Sequence, residues 1–344
     1  MAKRDIGFAA VARLAGVSTA TVSNTLNRPE IVAPATRDRV LTAIAALDFV
    51  PNRAAATLRQ GTNRLLGLVI PDIVNPFYAA ITRGVTEAAA EHGYTVALCV
   101  SHDDPDLELR HFEMLAEHRA AGALVAPLTA DASRLDQLRR VGAHLVLMDR
   151  TSPTDAGCSV SIDDRAGGRL AARHLLATRG ERLVLVNGEP TIPQCADRRA
   201  GARSAFEERG LDPDALEEVT VDEMTIDAGH AIGRRLADDA ALPGGGAVPG
   251  GIFCTNDQLA VGVIRGLTER GLRVPADVAV IGYGDLALAS ESLVRLTTVE
   301  QPKDELGRAA VEILLAELAA DPAEHVHTNR MLDPRLVVRE SAPA

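Results

Sequence analysis

The chain has 344 residues, 47% of them hydrophobic and 24% charged, which supplies apolar material for more than one folded core and excludes a disordered protein. The N-terminus, MAKRDIGFAA, has no apolar signal core, and no run reaches the roughly 20 apolar residues of a membrane span. A cytoplasmic protein without membrane contact is therefore expected. The net charge of −11 is unevenly spread: residues 1–61 hold eight Lys/Arg against four Asp/Glu, a net of +4 that leaves −15 for the rest. A basic head on an acidic body is the electrostatic arrangement of a nucleic-acid-binding domain attached to a sensor.

In chain order, the stretch from Phe8 to Asn27 predicts two short helices joined by a tight turn. Ala9, Ala10, Ala12, Leu14 and Ala15 suit the first helix, Gly16 permits the turn, and Ser18 can N-cap the second. Val17, Val22 and Leu26 recur at helical spacing and would hold the second helix against the first. Thr19, Ala20, Ser23 and Asn24 then lie on the opposite face, able to enter a DNA major groove. A third helix follows, with Pro34 at its first position, Thr36-Arg37-Asp38-Arg39 near its start, and a stripe of Val40, Leu41, Ile44 and Leu47. After Phe49-Val50-Pro51 comes NRAAATLRQGT, too short to persist as an isolated helix in water. It reads either as a plain linker or as a hinge that folds only against DNA or its own copy.

From Leu65 onward short apolar strands alternate with amphipathic helices. Strands are expected at 65–70, 95–100, 123–126, 145–148, 183–187, 218–221, 251–254 and 278–282. Helices are expected at about 76–92, 106–119, 131–141, 165–179, 197–210, 227–239, 256–270 and 303–319. Such alternation means parallel sheets covered by helices on both faces. The body is too long for one doubly wound sheet, so two similar subdomains are expected. LPGGGAVPG (242–250) reads as an inserted surface loop.

The stretches GVSTATVSNTLN, TRDRV (36–40), FVPNRAAATLR (49–59), GLVIPDIVNPFYAAITRGV (67–85) and VLMDR (146–150) resemble the lactose-repressor/galactose-repressor family of bacterial regulators. The same likeness continues, in order, through SIDDRAGGRLAARHLL (161–176), FCTNDQLAVGVIRGL (253–267), GLRVPADVAVIGYGD (271–285) and LTTVEQPKDELG (296–307). It implies an all-α helix-turn-helix head at 1–50, a hinge helix and linker at 51–63, and an α/β, two-lobed, type I periplasmic-binding-protein-like body at 64–344. The implied first lobe spans about 64–160 and 291–320, and the second about 161–290 and 321–340, with crossings near 160, 290 and 321.

By the same resemblance, Thr19, Ala20 and Asn24 occupy base-reading positions, while Ser18, Thr21, Ser23, Thr36 and Arg37 hold phosphates. Ala20 offers only apolar contact, and Asn24 can pair with adenine N6 and N7 where many relatives carry Arg for guanine. In the hinge, Asn52, Arg53, Ala55 and Leu58 would contact the operator, with Leu58 wedged into a central minor-groove step. Ala33 departs from the Ser that relatives place there as a cap. The resemblance puts Phe77, Asp149, Asp163, Gln194, Arg198, Asn256 and Tyr283 around an effector cleft. Asp163 reads equally as a cap for the following helix. Gly284 stands where relatives present an Asp, and Asp285 beside it is the alternative ligand. A small polar effector, sugar- or nucleoside-like, fits this set of groups.

Other motifs carry less. VAVIGYGDLA (278–287) nearly spells a dinucleotide-binding fingerprint, but only 62 residues follow Gly282, too few for the rest of a nucleotide domain. Cys99, Cys158, Cys195 and Cys254 have no paired spacing and read as small buried hydrophobes. The pairs His325/His327 and His111/His118 have no Cys or third ligand nearby in the sequence, so no metal is expected. No nucleophile sits on a strand-to-helix elbow. The expectation is a ligand-responsive repressor, not an enzyme, needing no cofactor and binding double-stranded, palindromic operator DNA as a homodimer. Its end, VVRESAPA, carries no Leu-heptad tail, so a coiled-coil tetramer is not expected. The alternatives are a solute-binding module without DNA regulation and a nucleotide-dependent enzyme using the 282–287 turn.

Overall fold

The computed structural model describes residues 7–49, 63–127, 144–151, 157–241, 248–321 and 325–344. The expected hinge contacts at Asn52, Arg53, Ala55 and Leu58, and the helix expected at 131–141, lie outside these residues. The chain forms two compact units, residues 1–63 and 64–344.

The first unit contains α1 (Phe8–Ala15), α2 (Thr19–Asn27) and α3 (Pro34–Ala46). Gly16 ends α1 in the left-handed region, φ 65° and ψ 43°, a conformation that only a residue without Cβ adopts freely. Ser18 then starts α2, its Oγ accepting from the Thr21 amide at 3.1 Å. Val11, Ala12, Ala15, Val22, Val40 and Ala43 form the core of this unit, and Phe8 meets Phe49 edge-on at 5.6 Å. The buried stripe of α3 differs from expectation: Leu41 is exposed, and Ala43 is buried in its place. Small residues there let α1 approach closely, so the stripe follows packing rather than side-chain size. No side chain caps α3 at Ala33, and its Thr36 and Arg37 amides go to the Ala33 carbonyl.

The second unit holds two sheets of six strands. The first has the order β11-β5-β4-β3-β1-β2 and is wholly parallel, with β1 at Leu65–Ile70, β2 at Thr95–Val100 and β3 at Gly122–Val125. Its remaining strands are β4 (His144–Met148), β5 (Cys158–Ile162) and β11 (Asn329–Leu332). The second has the order β12-β10-β9-β8-β6-β7, with β6 at Leu183–Asn187, β7 at Glu217–Thr220 and β8 at Gly251–Cys254. It continues through β9 (Ala279–Gly284), β10 (Thr297–Glu300) and β12 (Arg335–Val337), the last antiparallel to β10. Helices α4 (Pro76–Glu91), α5 (Pro105–Glu117) and α11 (Lys303–Ala319) serve the first sheet. Helices α6 (Asp164–Arg179), α7 (Pro193–Glu207), α8 (Ile226–Ala241), α9 (Asp257–Glu269) and the short α10 (Ala287–Glu291) serve the second.

Lobe membership corrects the expected boundaries of 64–160 with 291–320 and 161–290 with 321–340. β10 pairs with β9, Thr297 opposite Ile281, so residues to about 301 belong to the second lobe. α11 contributes Leu306, Ala310, Val311 and Leu314 to the first lobe's core, and β11 lies beside β5. The chain thus changes lobe near 163, 302 and 334. The strands that decide this, β5, β10, β11 and β12, are short and break the strand–helix alternation. Their pairing is set by distant partners.

Helices α8 and α9 pack closely enough that a Cβ on Gly229 or Gly262 would strike the Leu259 or Ile226 carbonyl of the facing helix. A further correction concerns the histidines. Cys158 Sγ lies 3.2 Å from His325 Nε2 and 3.6 Å from His327 Nδ1, so the pair does have a cysteine beside it once β5 and β11 are adjacent. All four cysteines are buried. No helix among the described residues is long and apolar enough to cross a membrane.

The Ser18 cap sets the start of α2, so Ser18→Ala should destabilise that helix by about 1 kcal/mol. Amide hydrogen exchange at Thr21 and Val22 should accelerate about fivefold, and an unchanged rate would remove the cap from the account.

Candidate functional site

The head presents one face of α2 to solvent. Val22 and Thr25 are buried beneath it, whereas Ser18, Thr19 and Ala20 are exposed and Thr21, Ser23 and Asn24 are half-exposed. Thr25 turns its hydroxyl back to the Thr21 carbonyl at 2.9 Å and so belongs to the core side. Thr36 and Arg37, in the first turn of α3, are half-buried.

In the body, the chemistry gathers where strands of both sheets end. Asp149 follows β4 with a left-handed backbone, φ 58°, an unusual state for a side chain with a Cβ. From the other lobe Gln194, in the first turn of α7, donates through Nε2 to the Asp149 carboxylate at 2.6 Å and to its carbonyl at 3.0 Å. One amide therefore joins the two lobes. Behind it, Arg198 Nε donates to Asp164 Oδ1 at 2.9 Å, and its Nη1 to the Thr255 carbonyl at 2.8 Å. The guanidinium stacks 3.9 Å above the Tyr283 ring, and the Tyr283 hydroxyl donates to the same Asp164 oxygen at 2.7 Å. A Cβ on Gly167 would collide with that hydroxyl, so the helix must have glycine where the tyrosine enters.

Burial and charge shift the titration of several groups here. The Asp149 carboxyl is pushed up to about 7, first by burial and then by the Asp164 carboxylate, against the pull of Arg150, Arg198 and the Gln194 amide. Burial and then Asp149 raise the Tyr78 hydroxyl, and burial and then Asp164 raise Tyr283. Burial works most strongly against the Arg198 charge, but Asp164, Tyr283 and Cys195 together more than offset it and the guanidinium is held protonated. Two buried polar atoms here have no hydrogen-bond partner among the described residues, the acceptor Gln194 Oε1 and the donor Arg150 Nη1. Such atoms cost folding free energy unless something binds them.

The structure therefore brings Asp149, Gln194, Arg198 and Tyr283 together, with Phe77 edge-on at 5.2 Å to Tyr78. It places three others differently. Asp163 caps α6, accepting from the Ala166 amide at 2.8 Å, and its neighbour Asp164 takes the buried position. Asn256 caps α9 through Leu259 at 2.7 Å and donates to the Met224 carbonyl at 2.8 Å, so both ends of its amide are engaged. Asp285 is ion-paired with Arg339 at 2.7 Å. Tyr78, Arg150 and Asp164 escape the sequence reading; the Asp doublet at 163–164 signals a cap and a ligand without saying which is which.

The 282–287 turn has a local explanation. Asp257, wholly buried and pushed up to about 6 chiefly by burial, accepts from Thr298 Oγ1 at 2.5 Å and from the Leu286 amide at 2.7 Å. A Cβ on Gly282 would strike that carboxylate, which accounts for the glycine without a nucleotide. Lys303, at the start of α11, donates to the Gly284 carbonyl and so ties the first lobe to the end of β9.

An outward helix face on a helix-turn-helix head, and a two-lobed body whose lobes meet through buried polar side chains, define a class: DNA-binding regulators carrying a periplasmic-binding-protein-like sensor. Residues 9–52 match the family described as bacterial regulatory proteins, lacI family, and residues 147–342 match the periplasmic binding protein-like domain. The HTH-type transcriptional repressor PurR of Photobacterium profundum is 32% identical over 334 residues, covering 96% of this chain and 97% of the relative. The ribose operon repressor of Escherichia coli (strain K12) is 35% identical over 336 residues, covering 96% and 98%. Among solved structures, the lac repressor dimer bound to operator and the anti-inducer ONPF superposes with a TM-score of 0.85 at 25% identity, covering 98% of this chain and 99% of that one. A CelR–cellobiose complex superposes with a TM-score of 0.68 at 29% identity, covering 98% and 99%.

The chain belongs to the lacI family of bacterial regulatory proteins. It is a DNA-binding transcriptional regulator with an effector-binding body, and not an enzyme.

The raised Asp149 carboxyl has a consequence for stability. Between about pH 4 and 7 the folded chain holds this proton more tightly than the unfolded chain, so folding stability falls as pH rises across that window. Asp149→Asn, which keeps the shape and never ionises, should raise the thermal midpoint most above pH 7, with the gain shrinking toward pH 4. Melting curves at pH 8 and pH 4 check this; a loss of stability at pH 8 would mean that the carboxylate is ionised and favourably paired.

Proposed function

We propose that this regulator is a repressor of palindromic operator DNA, acting in the cytoplasm as a homodimer and switched by a small polar effector held between its lobes. The observation that carries the effector half is the meeting of Gln194 and Asp149 between the lobes, beside Gln194 Oε1 and Arg150 Nη1, which have no hydrogen-bond partner among the described residues. A ligand with several hydroxyls can satisfy both atoms, while Phe77 offers an apolar face to a ring. The relatives named for a ribose operon and the CelR–cellobiose complex support a sugar, and a nucleoside-like ring has the same mix of faces. In this reading Arg198 and Tyr283 hold the ligand from the second lobe and Asp149 from the first. Asp163, Asn256 and Asp285 shape the cleft by capping and pairing.

Occupation of the cleft would favour one lobe arrangement over another and so change how two heads meet the operator. A palindrome needs two heads, and the operator-bound lac repressor is a dimer. Leu98 on the edge strand β2 and the wholly exposed Leu293 are apolar surface that a second copy would cover.

On the DNA side, Thr19, Ala20 and Asn24 would read bases, with Ser18, Thr21, Ser23, Thr36 and Arg37 on phosphates and Asn52, Arg53, Ala55 and Leu58 at the operator centre. The exposure of the first two, over a buried Val22, supports this. Asn24 should select adenine, and Asn24→Arg should shift the preferred base at that half-site position to guanine, a discrimination of about 1–3 kcal/mol. Operator selection on the variant checks this, and an unaltered preference would place Asn24 off the bases.

For the effector, Gln194→Ala should weaken binding at least about tenfold, the loss of a good hydrogen bond to a polar ligand. Calorimetry with pentoses, hexoses, nucleobases and nucleosides identifies the ligand and reads the loss. Unaltered affinity for that ligand would move the effector out of this cleft.

A further inference from the structure

A second cluster lies at the far end of the first sheet, away from Asp149 and Gln194. Cys158 opens β5, residues 325–328 lead into β11, Glu317 lies near the end of α11 and His144 opens β4. Asp149, at the cleft, is at the other end of β4.

We propose that Cys158, His325 and His327 form a binding site for one zinc-like divalent cation. Three ligand atoms, Cys158 Sγ, one nitrogen of His325 and one of His327, lie within 4.8 Å of one another. A tetrahedral ion with bonds of about 2.3 Å to sulfur and about 2.0 Å to nitrogen sets a sulfur–nitrogen edge of about 3.5 Å. The observed separations are 3.2 Å to His325 Nε2 and 3.6 Å to His327 Nδ1. The two nitrogens have only to converge, and the half-buried His325 and exposed His327 sit on chain that can shift more easily than a strand.

These three ligands leave the fourth tetrahedral position to solvent, and Glu317 stands behind Cys158. Glu317 Oε2 is buried with no hydrogen-bond partner among the described residues, while Oε1 receives His144 Nδ1 at 3.0 Å. The carboxylate lies beside the Cys158 thiol. The Thr328 amide directed at Sγ from 3.5 Å, and the His144–Glu317 pair behind it, are outer supports of the kind that metal ligands ordinarily have. Thiolate with imidazole selects a borderline ion such as Zn²⁺ over Mg²⁺ or Ca²⁺, which prefer oxygen. Binding releases the thiol proton to solvent as Sγ takes the metal, with no change of oxidation state.

The test uses the full chain after chelator treatment, titrated with Zn²⁺ by calorimetry and with Co²⁺ by absorbance. One zinc per chain, bound tighter than about 1 µM, and a thiolate-to-cobalt charge-transfer band are expected, with no competition from Mg²⁺. His327→Gln, a surface change that leaves the core intact, should weaken zinc at least about tenfold, and Cys158→Ser should abolish the cobalt band. Absence of stoichiometric zinc, cobalt binding without the thiolate band, or an unaltered affinity in His327→Gln would each overturn the site.

Discussion

The body of this protein depends on one buried ion pair. Arg198 and Asp164 are each more than nine-tenths removed from water, and an uncompensated charge there would cost several kcal/mol. The structure compensates it from four directions: α7 supplies the arginine, α6 the carboxylate, the end of β8 a carbonyl through Thr255, and β9 the Tyr283 ring and hydroxyl. Each element must hold its register for the pair to be satisfied. The close helix packing around it follows from that demand, since a Cβ on Gly168 or Gly201 would strike the Arg198 or Arg165 carbonyl.

The same pair makes the second lobe a rigid wall and leaves the first lobe to supply the adjustable part. Asp149 sits on a strained backbone near the Asp164 carboxyl, accepts from the Gln194 amide and lies in the field of Arg150 and Arg198. A ligand that replaces those weak partners with better ones gains affinity for one lobe arrangement, which is the physical requirement for a switch. The head is organised differently. Its core is small and apolar; on α2 the Ser18 and Thr25 side chains serve the fold, while Thr19 and Asn24 remain at the surface.

Much of this is legible in one dimension because the relevant interactions are local. Ser18 capping α2, Gly16 closing α1, and the apolar runs at 65–70 and 183–187 are decided within a few residues, and the strands fall at those positions. Arg198 stands out in a helix otherwise rich in alanine and exposed charge. The family likeness adds order along the chain, and with it the class of protein.

Eight of the strands, most of the described helices, the DNA-binding class and the outward face of α2 are thus readable from the amino acids alone, because caps, turns and periodicity act over one or two helical turns, whereas β5, β10, β11, β12 and α10 are not. Which lobe owns β10 and α11 is settled only in three dimensions, since four short strands choose partners by hydrogen-bond geometry with distant chain. The same holds for Asp163 capping while Asp164 binds Arg198: adjacent helix-start residues point in different directions, and only the arrival of α7 makes one of them buried. Cys158 and His325 are 167 residues apart and ordinary when taken singly. They become a cluster only because β11 returns to lie beside β5, a pairing that no local propensity encodes.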